Sequence, residues 1–232
     1  MNSLAIIPAR AGSTRLINKN IYPLLGKPLI RWITEAVVST SLFDKILIST
    51  DSDDIFAAVE DLPVERHIRD VRFATTESTV LEAVLNIMET SKEPFDTVGY
   101  FLPTCPFISA DDISEGIHML NADSSVDSVV SMTPMAQTIQ LACIMHDDHV
   151  MPIYDNLECG MTNSKFIKQY YKPSGAFYLG KWNHVLAKRN FFKGKVKGVK
   201  IPLNRSIDIN TLEDILYAEA QIAHDNMRIE EL

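Results

Sequence analysis

The sequence predicts a three-layer α/β/α fold around a mostly parallel sheet, and three observations carry that prediction. Short apolar runs alternate with helical patterns along most of the chain. The conspicuous polar groups fall just after the apolar runs: Arg10 to Asn20, Thr50-Asp51 and Pro103-Thr104. The 232 residues, 46% of them hydrophobic, suffice for one large domain with a sizeable core, here 1–232. Strand–helix alternation puts parallel strands between two helical layers, and ligands of such sheets sit beyond the carboxyl ends of the strands.

The elements follow in order. Leu4–Pro8 reads as a strand. Pro28 suits the first turn of a helix that aligns Ile30, Ile33 and Val37 on one face. Lys45–Thr50 is a second strand, and Ser52 can cap a helix from Asp53. Val80, Leu81, Val84, Leu85 and Met88 line a further helix. Thr97–Leu102 is a strand ending at Pro103-Thr104-Cys105-Pro106; Ser109 and Asp112 have capping-box spacing before Ile113, Ile117 and Leu120. Asp127–Ser131, Gly175–Leu179 and Val199–Ile201 read as strands, and Leu212, Ile215, Leu216 and Ile222 mark a last helix. Residues 134–172 break the alternation. They are rich in methionine and read as an inserted lobe or dimerisation arm. The run His146-Asp147-Asp148-His149 within them reads as a solvated loop rather than a metal site.

Composition narrows the function. A net charge of −8 argues against a broad nucleic-acid or membrane surface. No apolar run reaches membrane length. Three widely spaced cysteines without a CxxC pair fit reduced thiols, and the expectation is a cytoplasmic protein. Against that acidic background Arg10, Arg15 and Lys19 crowd one small-residue loop, Ala9-Arg10-Ala11-Gly12-Ser13-Thr14-Arg15. A polyphosphate explains the cluster: small residues let backbone N–H groups approach phosphate oxygens, and cations neutralise charge that develops as a P–O bond breaks. The loop is neither a GxxxxGK[ST] P-loop nor a GxGxxG dinucleotide fingerprint.

The string from Ile6 to Asn20 instead resembles the opening signature of sugar-activating cytidylyltransferases, the CMP-sialic acid synthetase family above all. Further segments are similar in the same order: Gly26-Lys27-Pro28-Leu29-Ile30, Phe43-Asp44-Lys45, Ile48-Ser49-Thr50-Asp51, Pro103-Thr104-Cys105-Pro106, Lys172-Pro173-Ser174-Gly175-Ala176-Phe177-Tyr178, Phe191-Phe192 and Ser206-Ile207-Asp208-Ile209. The resemblance implies a Rossmann-like sheet of the nucleotidyltransferase type, a homodimer and a Mg²⁺-dependent transfer. The anomeric hydroxyl of an acidic sugar would attack the α-phosphorus of CTP and release pyrophosphate. Triphosphate and sugar carboxylate repel each other, so cations must hold both.

Carried over residue by residue, the resemblance gives Arg10 and Lys19 to the triphosphate and its transition state. It gives Ala9, Gly12, Ser13 and Arg15 to the phosphate loop, and Asn20 and Thr79 to the nucleotide. Arg69, Lys172 and Ser174 fall to the sugar, and Asp208 with Asn210 to Mg²⁺. Plainer readings stand beside these. Asn20 can cap a turn, Arg69 can pair with Asp70, Thr79 can cap a helix, Asp208 can pair with Arg205, and Asp51 can be structural at a helix N-terminus. Phe191-Phe192 can wall the sugar pocket or belong to the core. The chain departs from the family pattern at four places: Asn210 stands for a second metal aspartate, Leu102 for a glutamine, Lys172 for an arginine and Ser174 for an asparagine. Asn210 or Thr211 can also cap the last helix. These departures leave the sugar open: a nonulosonate such as a sialic, legionaminic or pseudaminic type, a shorter keto acid or a different acidic sugar. They keep two alternatives in play, a nucleotidyltransferase for another sugar and a catalytically impaired nucleotide binder.

Overall fold

The computed structural model describes residues 2–230; Met1 and residues 231 and 232 lie outside the described residues. The elements run β1 (Ser3–Pro8), β2 (Pro23–Leu24), β3 (Lys27–Pro28), α1 (Leu29–Thr40), β4 (Lys45–Thr50), α2 (Asp53–Ala57), β5 (Glu65–Ile68), α3 (Val80–Thr90), β6 (Thr97–Phe101), α4 (Ala110–Asn121), β7 (Ser128–Pro134), β8 (Cys143–His146), β9 (His149–Pro152), β10 (Tyr171–Lys181), α5 (Trp182–Lys188), β11 (Val196–Lys200) and α6 (Leu212–Glu230). A seven-stranded sheet has the order β11-β7-β10-β6-β1-β4-β5. Its β1, β4, β5 and β6 pairings are parallel, as is β11 with β7, whereas β10 runs antiparallel to both β6 and β7.

Period-two alternation divides the core. Ala5 and Ile7 of β1 pack with Ile30, Ile33 and Val37 of α1 and with Ile113 and Ile117 of α4. Leu4 and Ile6 point the other way, onto Val84, Leu85 and Met88 of α3 and Trp182 of α5. Gly116 lets α4 settle on the sheet, since a Cβ there would lie 2.7 Å from Leu179 Cδ1. A third, smaller cluster joins Leu16, Leu24 and Leu29 to Ile209 and Ile215, tying α6 to the opening loop.

Local signals act where the sequence places them. Ser52 accepts from the Ile55 N–H, and Thr79 and Ser109 each form reciprocal capping boxes with Glu82 and Asp112. Pro28 is displaced by one position: it pairs with Pro23 in the β2–β3 hairpin, so its ψ of 138° is extended and α1 starts at Leu29. Between β7 and β10 the chain leaves the sheet, in the region read from sequence as a lobe over 134–172. It carries the β8–β9 hairpin, with His146 paired to His149 across the turn. β10 is longer than its Gly175–Leu179 centre. It reaches back to Tyr171 through an irregularity between Pro173 and Tyr178, where Gly175 takes φ +87°.

Candidate active site

The loop after β1 is tethered from several sides. Ala9 is buried and its N–H still belongs to the sheet, donating to Ser49 O at 2.9 Å. Two residues on, the Ala11 N–H donates to Asp51 Oδ1 at 2.8 Å. Asn20 Nδ2 donates to Arg10 O at 2.8 Å, and Ser13 N to Ala11 O at 2.8 Å. The turn therefore gets its shape from side chains outside it.

This loop walls a cleft of about 310 Å³ beyond the carboxyl ends of β1, β5 and β6. Arg10, Arg15, Lys19 and Arg69 line it, and among the described residues Asp208 is the only carboxylate that does. In a chain of net charge −8 this is a concentrated positive field suited to an anion.

Each cation is held by neutral oxygen. The Arg10 guanidinium donates to the carbonyls of Ala74 and Thr75. Arg15 Nη2 and Lys19 Nζ both donate to Asn210 Oδ1, at 2.7 and 3.0 Å. Burial pulls the Lys19 ammonium below its ordinary pKa; Asp208 opposes that and Arg15 adds to it. Arg69 is 7% exposed, with Nε on Ser49 Oγ at 3.3 Å. Its Nη2 is buried with no protein partner. Burial lowers its pKa to about 10, against the pull of Asp51. A buried donor without a partner is costly, and a ligand acceptor in the cleft would relieve that cost.

Asp208 reaches the cleft because its segment is pinned on both sides. Arg205 forks onto Asp112 at the N-terminus of α4, and Thr133 Oγ1 donates to Ser206 Oγ at 2.9 Å. Ile209 is fully buried and its N–H donates to Thr104 O at 2.8 Å. Asp214 Oδ2 then accepts the N–H groups of Asn210 and Thr211 at 2.8 and 2.9 Å, opening α6. The expected alternatives resolve: Arg205 belongs to Asp112, and Asp70 pairs with Arg72 rather than Arg69.

The structure thus gathers Arg10, Ser13, Arg15, Lys19, Asn20, Arg69, Thr79, Asp208 and Asn210 around one cleft. Four expected residues stand apart from that lining. Ala9 has its amide engaged in the sheet, and Gly12 is exposed. Lys172 is exposed on β10 opposite Thr133. Ser174 is buried at the β10 irregularity, where its hydroxyl donates to Ser131 Oγ at 2.7 Å. Its side chain serves the join between β7 and β10. Thr79 lines the cleft while capping α3. Phe191 is buried in the core, and Phe192 is exposed against Tyr178. Asp51 is a loop anchor. Phe73 and Ser78 also line the cleft and were not anticipated. Their signal was an aromatic inside an otherwise polar stretch, Arg72-Phe73-Ala74-Thr75-Thr76-Glu77-Ser78.

No group of three or more His, Cys, Asp or Glu side chains converges among the described residues. The donor set at Asp208 and Asn210 therefore fits no preformed cage. The Asp208 carboxylate has the chemistry for Mg²⁺, which is commonly held by one or two carboxylates together with substrate phosphates, whereas Asn210 Oδ1 is turned to Arg15 and Lys19.

A cation-lined cleft past the carboxyl ends of a mostly parallel sheet defines a nucleotide-handling α/β protein of the nucleotidyltransferase type. The family model described as cytidylyltransferase matches residues 4–182, and the chain belongs to that family. It is 30% identical to CMP-N,N'-diacetyllegionaminic acid synthase of Legionella pneumophila, over 91% of this chain and 92% of that one. It is 26% identical to pseudaminic acid cytidylyltransferase of Campylobacter jejuni, over 94% and 95% of the two chains. It is 27% identical to N-acylneuraminate cytidylyltransferase of Escherichia coli over 91% of its own length, but spans only 50% of that relative. In fold it is similar to CMP:2-keto-3-deoxy-manno-octonic acid synthetase complexed with CTP, with a TM-score of 0.71 at 15% identity, covering 97% of this chain and 100% of that one.

Proposed function

We propose that the protein activates an acidic nine-carbon sugar of the sialic, legionaminic or pseudaminic type with CTP, giving a CMP-sugar and pyrophosphate. The observation that carries this reading is the cleft in which Arg10, Arg15, Lys19 and Arg69 face a single carboxylate. The names of the relatives support the choice of CTP and of an acidic sugar.

The residues divide the work. Arg10, Arg15 and Lys19 neutralise the triphosphate and hold it in line. The sugar's anomeric oxygen bonds to the α-phosphorus, the bond to the departing pyrophosphate breaks, and the hydroxyl proton is released. Lys19 and Arg10 stabilise the charge that builds on the phosphates; positioning and electrostatics supply most of the rate in such transfers. Arg69 offers its unpartnered Nη2 to substrate, and its planar fork suits a carboxylate. Asp208 would hold Mg²⁺ together with the triphosphate, and the ion would add positive charge at the phosphates.

The protein works as a homodimer in the cytoplasm in this reading. The β8–β9 hairpin exposes apolar side chains on both faces, Ile144 with Met151 and Met145 with Val150. An isolated hairpin is marginal in water, and an exposed apolar patch of this kind is a surface that a partner subunit can cover. Reduced Cys105, Cys143 and Cys159 agree with a cytoplasmic setting.

A panel of nucleotides against acidic sugars, read by pyrophosphate release, tests the proposal. Release with CTP and a nonulosonic acid supports it. Release only with a different sugar or sugar phosphate transfers the chemistry to the first alternative. CTP binding without release in any combination leaves the impaired binder.

A further inference from the structure

Asn210 has every polar group of its side chain engaged. Oδ1 accepts from Arg15 Nη2 at 2.7 Å and Lys19 Nζ at 3.0 Å, and Nδ2 donates to Asp208 Oδ2 at 2.8 Å. Its neighbours admit one orientation of the amide. A flipped side chain would turn its NH₂ toward two cations and its oxygen toward a carboxylate, leaving every contact repulsive. One neutral group thus joins two cations to one anion across 195 residues of sequence separation. Its own backbone is fixed by the N–H bond to Asp214 Oδ2 at 2.8 Å.

We infer that Asn210 is a positioning residue that braces Arg15, Lys19 and Asp208 in their ligand-ready arrangement before nucleotide or metal arrives, so that CTP docks without a divalent cation. This rests on the reading of the cleft as a CTP site. A carboxylate in the place of Asn210 would face Asp208 Oδ2 at hydrogen-bond distance with like charge, and would need a cation between them. It would also cancel one of the positive charges that attract phosphate. The amide does neither. It leaves the charge on Arg15 and Lys19 uncompensated, yet keeps both side chains converged. Phosphate oxygens accept from such cations more strongly than a neutral amide does, so the nucleotide displaces Asn210 Oδ1 from both. The divalent ion then enters with the triphosphate rather than ahead of it.

Calorimetric titration of CTP into the full chain, in excess EDTA and in Mg²⁺, tests the brace. The wild-type protein is expected to bind CTP in EDTA within about tenfold of its affinity in Mg²⁺. Asn210→Asp is expected to lose at least about tenfold in EDTA and to recover in Mg²⁺. Unchanged circular dichroism establishes that the variant is folded. Wild-type binding that occurs only with Mg²⁺, or equal binding of the folded Asn210→Asp variant in EDTA, overturns the inference while leaving the CTP reading standing. Absence of CTP binding under both conditions overturns the reading itself and the brace with it. Wild-type binding that requires Mg²⁺ overturns the inference even if the variant does not fold.

Discussion

Arg205 grips the Asp112 carboxylate with two parallel hydrogen bonds, Nη1 to Oδ2 at 2.6 Å and Nη2 to Oδ1 at 3.0 Å. The pair joins the N-terminus of α4 to the segment that carries Asp208. It therefore couples a structural cap to the cleft. Burial alone would raise the Asp112 pKa, but hydrogen bonds from Arg205 and Ser109 outweigh it and hold the carboxyl below its ordinary value.

Asp112→Asn should destabilise the protein by about 2 kcal/mol at neutral pH, less than a fully buried pair because Arg205 is partly exposed. The sign with pH follows from the lowered folded value. The contribution is complete above the unfolded carboxylate pKa, roughly 4, and is lost as pH falls through the folded one. Urea titrations of both proteins at falling pH check this. The difference between them should shrink in acid, and a constant difference would show that the charge is irrelevant.

Asp51→Ala frees the Ala11 N–H, which water can satisfy, so stability should change by less than about 1 kcal/mol. The loop nevertheless loses its outside tether, and KM for CTP should rise. Asp51→Asn keeps an acceptor oxygen and should restore most of the KM. Equal KM values for all three proteins would remove the anchor role.

Arg10→Ala and Lys19→Ala should each lower turnover by more than about tenfold while the fold stays intact. Pyrophosphate release and circular dichroism measure the two halves of that statement. Near-normal release in both variants would detach the loop from the chemistry.

Arg69→Met should leave stability unchanged or raise it, because it removes a buried guanidinium whose Nη2 has no protein partner. Substrate affinity should fall at least about tenfold, the signature of a group retained for function at a structural cost. A lower urea midpoint with unaltered substrate binding would make Arg69 a structural residue instead.

Met145→Glu combined with Met151→Glu places charge on both faces of the β8–β9 hairpin, where both side chains are exposed. Sedimentation should shift from dimer to monomer without loss of helix content. A wild-type protein that sediments as a monomer at micromolar concentration would end the dimer reading.

How much could be read without coordinates depended on the range of each interaction. Lys45–Thr50, the helix cap at Thr79 and the capping box at Ser109 lie within a few residues of their own signals, and the structure repeats them as read. The loop cations were legible because their clustering contradicts the net charge. Ser174 falls outside the cleft lining because a strand irregularity turns its hydroxyl to Ser131, a direction that the resemblance of its segment does not carry.

The sequence by itself determined the alternation of strands and helices, the first strand and the positive loop that follows it. All of these are set by local periodicity and charge. Only the tertiary structure decided that Asp51 shapes the loop, that Arg205 belongs to Asp112, and that Asn210 stands between Lys19 and Asp208. Those contacts bridge 40, 93 and 191 positions of chain. Such partners meet because sheet order and helix packing bring distant segments to one end of the strands, and no local pattern encodes which side chain will be waiting there.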